Sequence, residues 1–192
     1  MQKYLFQWTI IFLFFLSSAY DASSLRKKRK SFSQEKIIIN IDGGIGIGFY
    51  ETSPGANSGG PNLNIDLMLF NVWKLYYGPT TGYLNLSENK QTNMHSKSIA
   101  IPTGLILSLI FEKSSWNSIP YMNFAPSLYF IQDKNGENKE YNLGIGASVG
   151  LGIMIPISSK IFIDLAMRSY FIYSQNNYYR LLSSNLGVCV VF

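Results

Sequence analysis

From residue 37 to residue 192, large apolar residues alternate with small or polar ones at a period of two. That spacing sends successive side chains to opposite faces of a β-strand. The first segment, IIINIDGGIGIGFY (37–50), sets Ile37, Ile39, Ile41, Ile45, Ile47 and Phe49 against Asn40, Asp42, Gly44, Gly46 and Gly48. NLGIGASVGLGIMI (142–155) repeats the pattern, with Leu143, Ile145, Val149, Leu151 and Ile153 opposed to Asn142, Gly144, Gly146, Ser148, Gly150 and Gly152. LNIDLMLF (63–70), IAIPTGLILSLIF (99–111), PYMNFAPSLYF (120–130), IFIDLAMRSYF (161–171) and SNLGVCVVF (184–192) alternate as well. LYYGPTTGYL (75–84) does so poorly, and its boundaries are the least defined. The count is eight strands of about ten residues, the length a tilted strand needs to cross a hydrocarbon layer.

The charges decide which face meets what. Asp42, Asp66, Asp164 and Arg168 all fall in the phase of the glycines and amides, together with Asn40, Asn64, Asn123 and Asn142. A sheet with one wet face would carry abundant Lys and Glu there. These residues predict instead a narrow polar interior with an apolar exterior. Buried charges must be paired, so Arg168 is expected to be held by Asp164 or by carboxylates from neighbouring strands.

The connections alternate in length. FNVWK, EKSSWNS and PISSK are short, whereas ETSPGANSGGPN, SENKQTNMHSK, QDKNGENKE and SQNNY are more polar and, SQNNY apart, longer. Trp73 and Trp116 fall in the short turns, and Phe49, Tyr50, Tyr83, Phe130, Tyr141, Tyr170, Phe171 and Tyr173 near the long-loop ends. Two aromatic girdles of this kind mark the levels where lipid meets water. The fold class is therefore all-β, an eight-stranded antiparallel up-and-down transmembrane β-barrel. Pro79, Pro102, Pro120 and Pro126 lie within or beside these strands, where a closed barrel offers no edge to hide a missing donor.

Ahead of the barrel, residues 1–19 have the form of a signal peptide. Lys3 supplies the positive end, Tyr4 to Leu16 the apolar stretch, and Ser17 and Ala19 the small residues before cleavage. Residues 20–36 form a polar arm with the basic run Arg26–Lys30. The net charge of +5 resides in that run: from residue 31 onward ten Lys and Arg balance ten Asp and Glu. The folded part thus has no basic face for nucleic acid. Cys189 is the sole cysteine, so no intramolecular disulfide forms, and it points inward by phase.

The chain from residue 37 to residue 192 resembles the small eight-stranded outer-membrane barrels of the OmpA-like transmembrane-domain type. The likeness rests on the glycine-alternating strand at 37–50, its repeat at 142–155, and the last strand closing on Phe192. The Ile-, Asn-, Ser- and Lys-rich composition has a spirochaetal look. The resemblance implies a bacterial outer-membrane location after export. The partners it implies are membrane lipid, the barrel-assembly machinery acting on Phe192, and a host or extracellular protein at the long loops. It implies no cofactor and no nucleic acid, and a structural or interaction role that includes adhesion. Longer members carry a peptidoglycan-binding domain, for which nothing follows Phe192 here.

Two other functions remain open. Glycine-rich inner faces could leave a narrow water-filled channel lined by Asn40, Asn64, Asn123, Asn142 and Ser148, with an Arg168–Asp164 pair as its constriction. A few barrels of the family modify lipid A with His, Ser and an acid near the outer rim. Here His95, Ser96 and Glu88 are the nearest equivalents, with no orienting residue at a defined offset. GGIGIG lacks the spacing and the following helix of a phosphate loop, and no cluster of His, Cys and carboxylates has metal-ligand spacing. No catalytic residue is assigned.

Overall fold

The structure, a computed structural model, describes residues 37–50, 59–89, 96–112, 117–135, 138–175 and 177–192. The signal-peptide segment, the basic arm, Trp116 and His95 lie outside these residues. The strands are β1 (Ile38–Tyr50), β2 (Gly59–Met68), β3 (Phe70–Val72), β4 (Leu75–Asn89), β5 (Ser96–Ile110), β6 (Ile119–Asn135), β7 (Asn138–Pro156), β8 (Ile161–Ser174) and β9 (Asn177–Val191). Each pairs antiparallel with its neighbours, and β1 pairs with β9, closing the sheet. Strands β2 and β3 are one stave broken at Leu69, since both pair with β4. The result is a closed barrel of eight staves, as the period-two pattern predicts.

Several expectations need correction. The weakly alternating third segment is a full strand of 15 residues, β4, and its inward positions (Tyr76, Thr80, Leu84, Leu86) are buried. Its pattern was blurred because Tyr and Thr suit either face and because a bulge lies between Asn85 and Ser87. The staves are longer than about ten residues, reaching 17 in β6 and 19 in β7. Most of QDKNGENKE is therefore hairpin and not loop: Gln132 pairs with Tyr141, Asp133 with Glu140, Lys134 with Lys139 and Asn135 with Asn138. SQNNY likewise closes on Ser174↔Asn177, and SENKQTNMHSK is paired at both ends through Glu88↔Lys97.

Pro79, Pro102 and Pro126 lie beside interruptions in the ladders, whereas Pro120 pairs with Ile153 in an unbroken stretch. Pairing of β4 with β5 lapses between Thr81↔Thr103 and Leu84↔Ala100, beside Pro102. Pairing of β5 with β6 lapses between Gly104↔Ser127 and Leu107↔Phe124, beside Pro126. The break between β2 and β3 follows Asp66↔Thr80, next to Pro79. A hydroxyl repairs part of the loss: Thr81 Oγ1 donates to the Pro102 carbonyl at 3.0 Å. At the turn between β3 and β4, Trp73 and Lys74 both have positive φ, 55° and 74°, the backbone of a two-residue hairpin whose twist matches the strands. Phe70 and Tyr77, stacked at 5.3 Å, pin that hairpin.

The exterior is apolar, with Ile41, Ile45, Leu105, Phe124, Leu151 and Leu186 all exposed. The interior has three layers. At the end holding the termini, Ile38, Tyr76, Ile106, Ile110, Phe162 and Val191 pack together. At the opposite end Leu84, Leu86, Tyr129, Ile131, Ile172 and Leu181 do the same. Between them lies the polar layer. The inner face is thus more apolar than its Asn, Asp, Ser and Gly content suggests. Tyr170 belongs to this interior, being 2% exposed, and not to an outer aromatic girdle.

Candidate functional site

The polar layer is built from inward positions of β1, β2, β4, β6, β8 and β9. Asp42, Asp66, Asp164 and Arg168 are all buried, and so are Asn40, Asn64 and Asn123. Arg168 Nη2 donates to Asp42 Oδ2 at 2.7 Å and also to Asp66 Oδ2, while Nη1 lies 3.5 Å from Asp66 Oδ1. The guanidinium therefore reaches across the lumen, since β8 borders β7 and β9 and not β1 or β2.

Neither the expected Arg168–Asp164 pair nor a pair with a carboxylate of a neighbouring strand forms. Four residues apart on one strand, the Cα atoms of Arg168 and Asp164 are separated by about 13 Å, and Arg168 turns toward the opposite wall. Asp164 instead accepts the Tyr121 hydroxyl at 2.8 Å and Asn40 Nδ2 at 2.8 Å. Asp42 accepts Asn64 Nδ2 at 2.8 Å and Asn185 Nδ2 at 2.6 Å on Oδ1, and Asn40 Nδ2 at 3.4 Å on Oδ2. Asp66 Oδ1 accepts Thr80 Oγ1 at 2.6 Å, and Tyr170 donates to Asn64 Oδ1 at 2.9 Å. One guanidinium thus serves two carboxylates, and neutral donors serve the third.

Of the residues expected in the network, two stand apart. Asn142 sits near the outer end, where it donates to Asp133 Oδ2 at 3.2 Å and accepts Gln175 Nε2 at 3.0 Å. Asn123 is buried in the interior, but its Oδ1 has no partner. Thr80, Tyr121, Tyr170 and Asn185 are the members that sequence reasoning missed. Asn185 and Tyr170 lay in the inward phase of their strands and could have been found by carrying the face assignment through every position.

The glycines make room for these crossings. Tyr121 lies over Gly152, where a Cβ would come within 2.5 Å of its Cζ, and so reaches Asp164. Leu181 covers Gly46 in the same way, at 2.8 Å. The inner faces that suggested open space are filled from neighbouring strands. A cavity of about 10 Å³ remains beside the polar layer, near the threshold for one water. Cys189 is buried, and among the described residues no group of three or more His, Cys, Asp or Glu converges as a metal site.

No protein-family model and no curated protein matches the chain. Among solved structures it is similar to Neisserial surface protein A, NspA, with a TM-score of 0.66 at 16% identity, over 82% of this chain and 97% of that one. It is also similar to the N-terminal β-barrel domain of Pseudomonas aeruginosa OprF, with a TM-score of 0.51 at 14% identity, over 82% and 98%. A closed eight-stave antiparallel barrel is the architecture this chain shares with these neighbours: it has the fold of the small eight-stranded outer-membrane β-barrels.

Proposed function

We propose that the protein is an integral barrel of the bacterial outer membrane that works through contacts at its rim, without passage of solutes and without catalysis. The observation that carries this reading is the filled interior: two apolar layers close the polar layer from either side. The exposed apolar exterior supports a lipid environment, and closure of the sheet through β1 and β9 leaves it without an open edge. The signal-peptide form of residues 1–19 and the surface-protein name of the first neighbour agree with export and exposure.

The contact surface would be the outer hairpins. The end of β6 and the start of β7 extend as a ribbon with exposed Lys134, Lys139, Glu140 and Tyr141, the last 74% exposed. Such a charged, aromatic-bearing ribbon suits a host or extracellular protein. Lipid and the assembly machinery acting on Phe192 complete the expected partners. Phe192 donates its N–H to the Ile37 carbonyl at 3.0 Å, so this residue lies at the closing seam.

Planar-bilayer recording of refolded protein tests the sealed interior. The expected trace is silent, and discrete reproducible steps would overturn the sealed reading and restore the channel. A membrane-impermeant amine reagent on intact cells should label Lys134 and Lys139. Protection of both in correctly folded protein would overturn the outward placement of this ribbon.

A further inference from the structure

The small cavity beside the polar layer has walls of an unusual kind. Asn40, Asp66, Ser108, Tyr121 and Asn123 face it on the polar side, and Met68 is among the apolar residues opposite. Asn40 and Asn123 are each 4% exposed, and the Oδ1 of each lacks a hydrogen-bond partner. The Nδ2 of Asn40 is committed to Asp164 and Asp42, which fixes its amide so that Oδ1 is the atom left over. An unpaired buried carbonyl oxygen is costly, and two on residues that line one cavity call for an electropositive occupant.

The charge balance adds a second argument. Among the described residues the buried charges are three carboxylates against one guanidinium, and Arg168 bonds only two of the carboxylates. Asp164 has neutral donors alone. We propose that this cavity binds one desolvated monovalent cation of the size of sodium, held by the Asn40 and Asn123 carbonyl oxygens, with the Asp66 carboxylate, Ser108 and Tyr121 completing an all-oxygen shell. A divalent ion suits the site less well. Magnesium keeps its waters and calcium takes six to eight oxygens, whereas this wall offers a single carboxylate. The site goes beyond the rim function and does not depend on it.

The test compares the full chain refolded in sodium chloride with the chain refolded in choline chloride at equal ionic strength and pH. Thermal unfolding is followed by heat-modifiable gel mobility, and bound ion is counted with radioactive sodium after gel filtration. The expected result is close to one sodium retained per chain and a midpoint that rises by several degrees, saturably, with sodium alone. Asn123→Leu should fold with a midpoint that no longer responds to sodium. If that variant does not fold, Ser108→Ala should weaken the sodium response several-fold. Equal midpoints in the two salts, or no retained ion, would overturn the proposal in favour of a water or a proton. A sodium response that survives in folded Asn123→Leu would overturn it by placing the ion elsewhere.

Discussion

Replacing Arg168 with methionine probes the electrostatic part of the interior, because methionine keeps an unbranched side chain and removes the charge and the donors. It ends short of the guanidinium and so also changes packing. In the native protein Arg168 is 2% exposed and bonds two carboxylates that are themselves 0% exposed. Each hydrogen bond to a charged group contributes about 1.5–3 kcal/mol. Breaking a buried pair by removing one partner costs about 3–5 kcal/mol, because the remaining charge stays desolvated. Two carboxylates are orphaned here, so the upper part of that range applies: about 4–5 kcal/mol, or roughly three decades in the folded-to-unfolded ratio. Neutral donors from Asn64, Asn185 and Thr80 keep the loss from growing further.

The assay is reversible urea unfolding in lipid vesicles, read by gel mobility and circular dichroism. A triple variant, Arg168→Met with Asp42→Asn and Asp66→Asn, separates charge from packing. It removes the orphaned carboxylates and should recover most of the loss, to within about 1–2 kcal/mol of the parent, since neutral replacements of buried ion pairs are often nearly isoenergetic. A loss below about 1 kcal/mol in the single variant, in protein still folded as the parent, would refute the account. So would a triple variant no more stable than Arg168→Met.

Three further outcomes are expected from the same unfolding assay. Tyr121→Phe deletes the hydroxyl that both Asp164 oxygens accept at 2.8 Å, and should cost about 1.5–3 kcal/mol; a neutral effect would mean that Asp164 is satisfied by Asn40 alone. Leu186→Arg places a charge on the exposed apolar exterior, where Leu186 is 61% exposed, and should cost about 2–4 kcal/mol in a bilayer; an unchanged stability there would contradict the lipid-facing assignment. Lys74→Gly should stabilise the β3–β4 hairpin by about 0.5–1 kcal/mol, since the strain of a positive φ at a non-glycine residue exceeds the entropy lost by glycine; destabilisation would show that the Lys74 side chain holds something.

The period-two pattern made the exterior legible residue by residue, because Ile45, Leu105 and Leu186 need only a strand to be placed outside. It also placed Asp42, Asp66, Asp164 and Arg168 inside. What it did not contain is height. Along the hydrogen-bonded rows Asp164, Gly187, Asp42 and Asn64 are successive partners, whereas Arg168 pairs with Ser183. Which carboxylate meets the guanidinium depends on how tilted staves bring those rows around the closed barrel. Asp42 and Arg168 are 126 residues apart, and no local spacing encodes that. Glycine misleads for a related reason. Seen in one strand, Gly152 and Gly46 suggest empty lumen, yet in the assembled barrel they are the places over which Tyr121 and Leu181 lie. In an interior only wide enough for its own side chains, a glycine on one strand gives the space to a large residue on the next. The space left in the lumen is therefore set by the inward Tyr, Leu and Arg residues and not by a count of glycines.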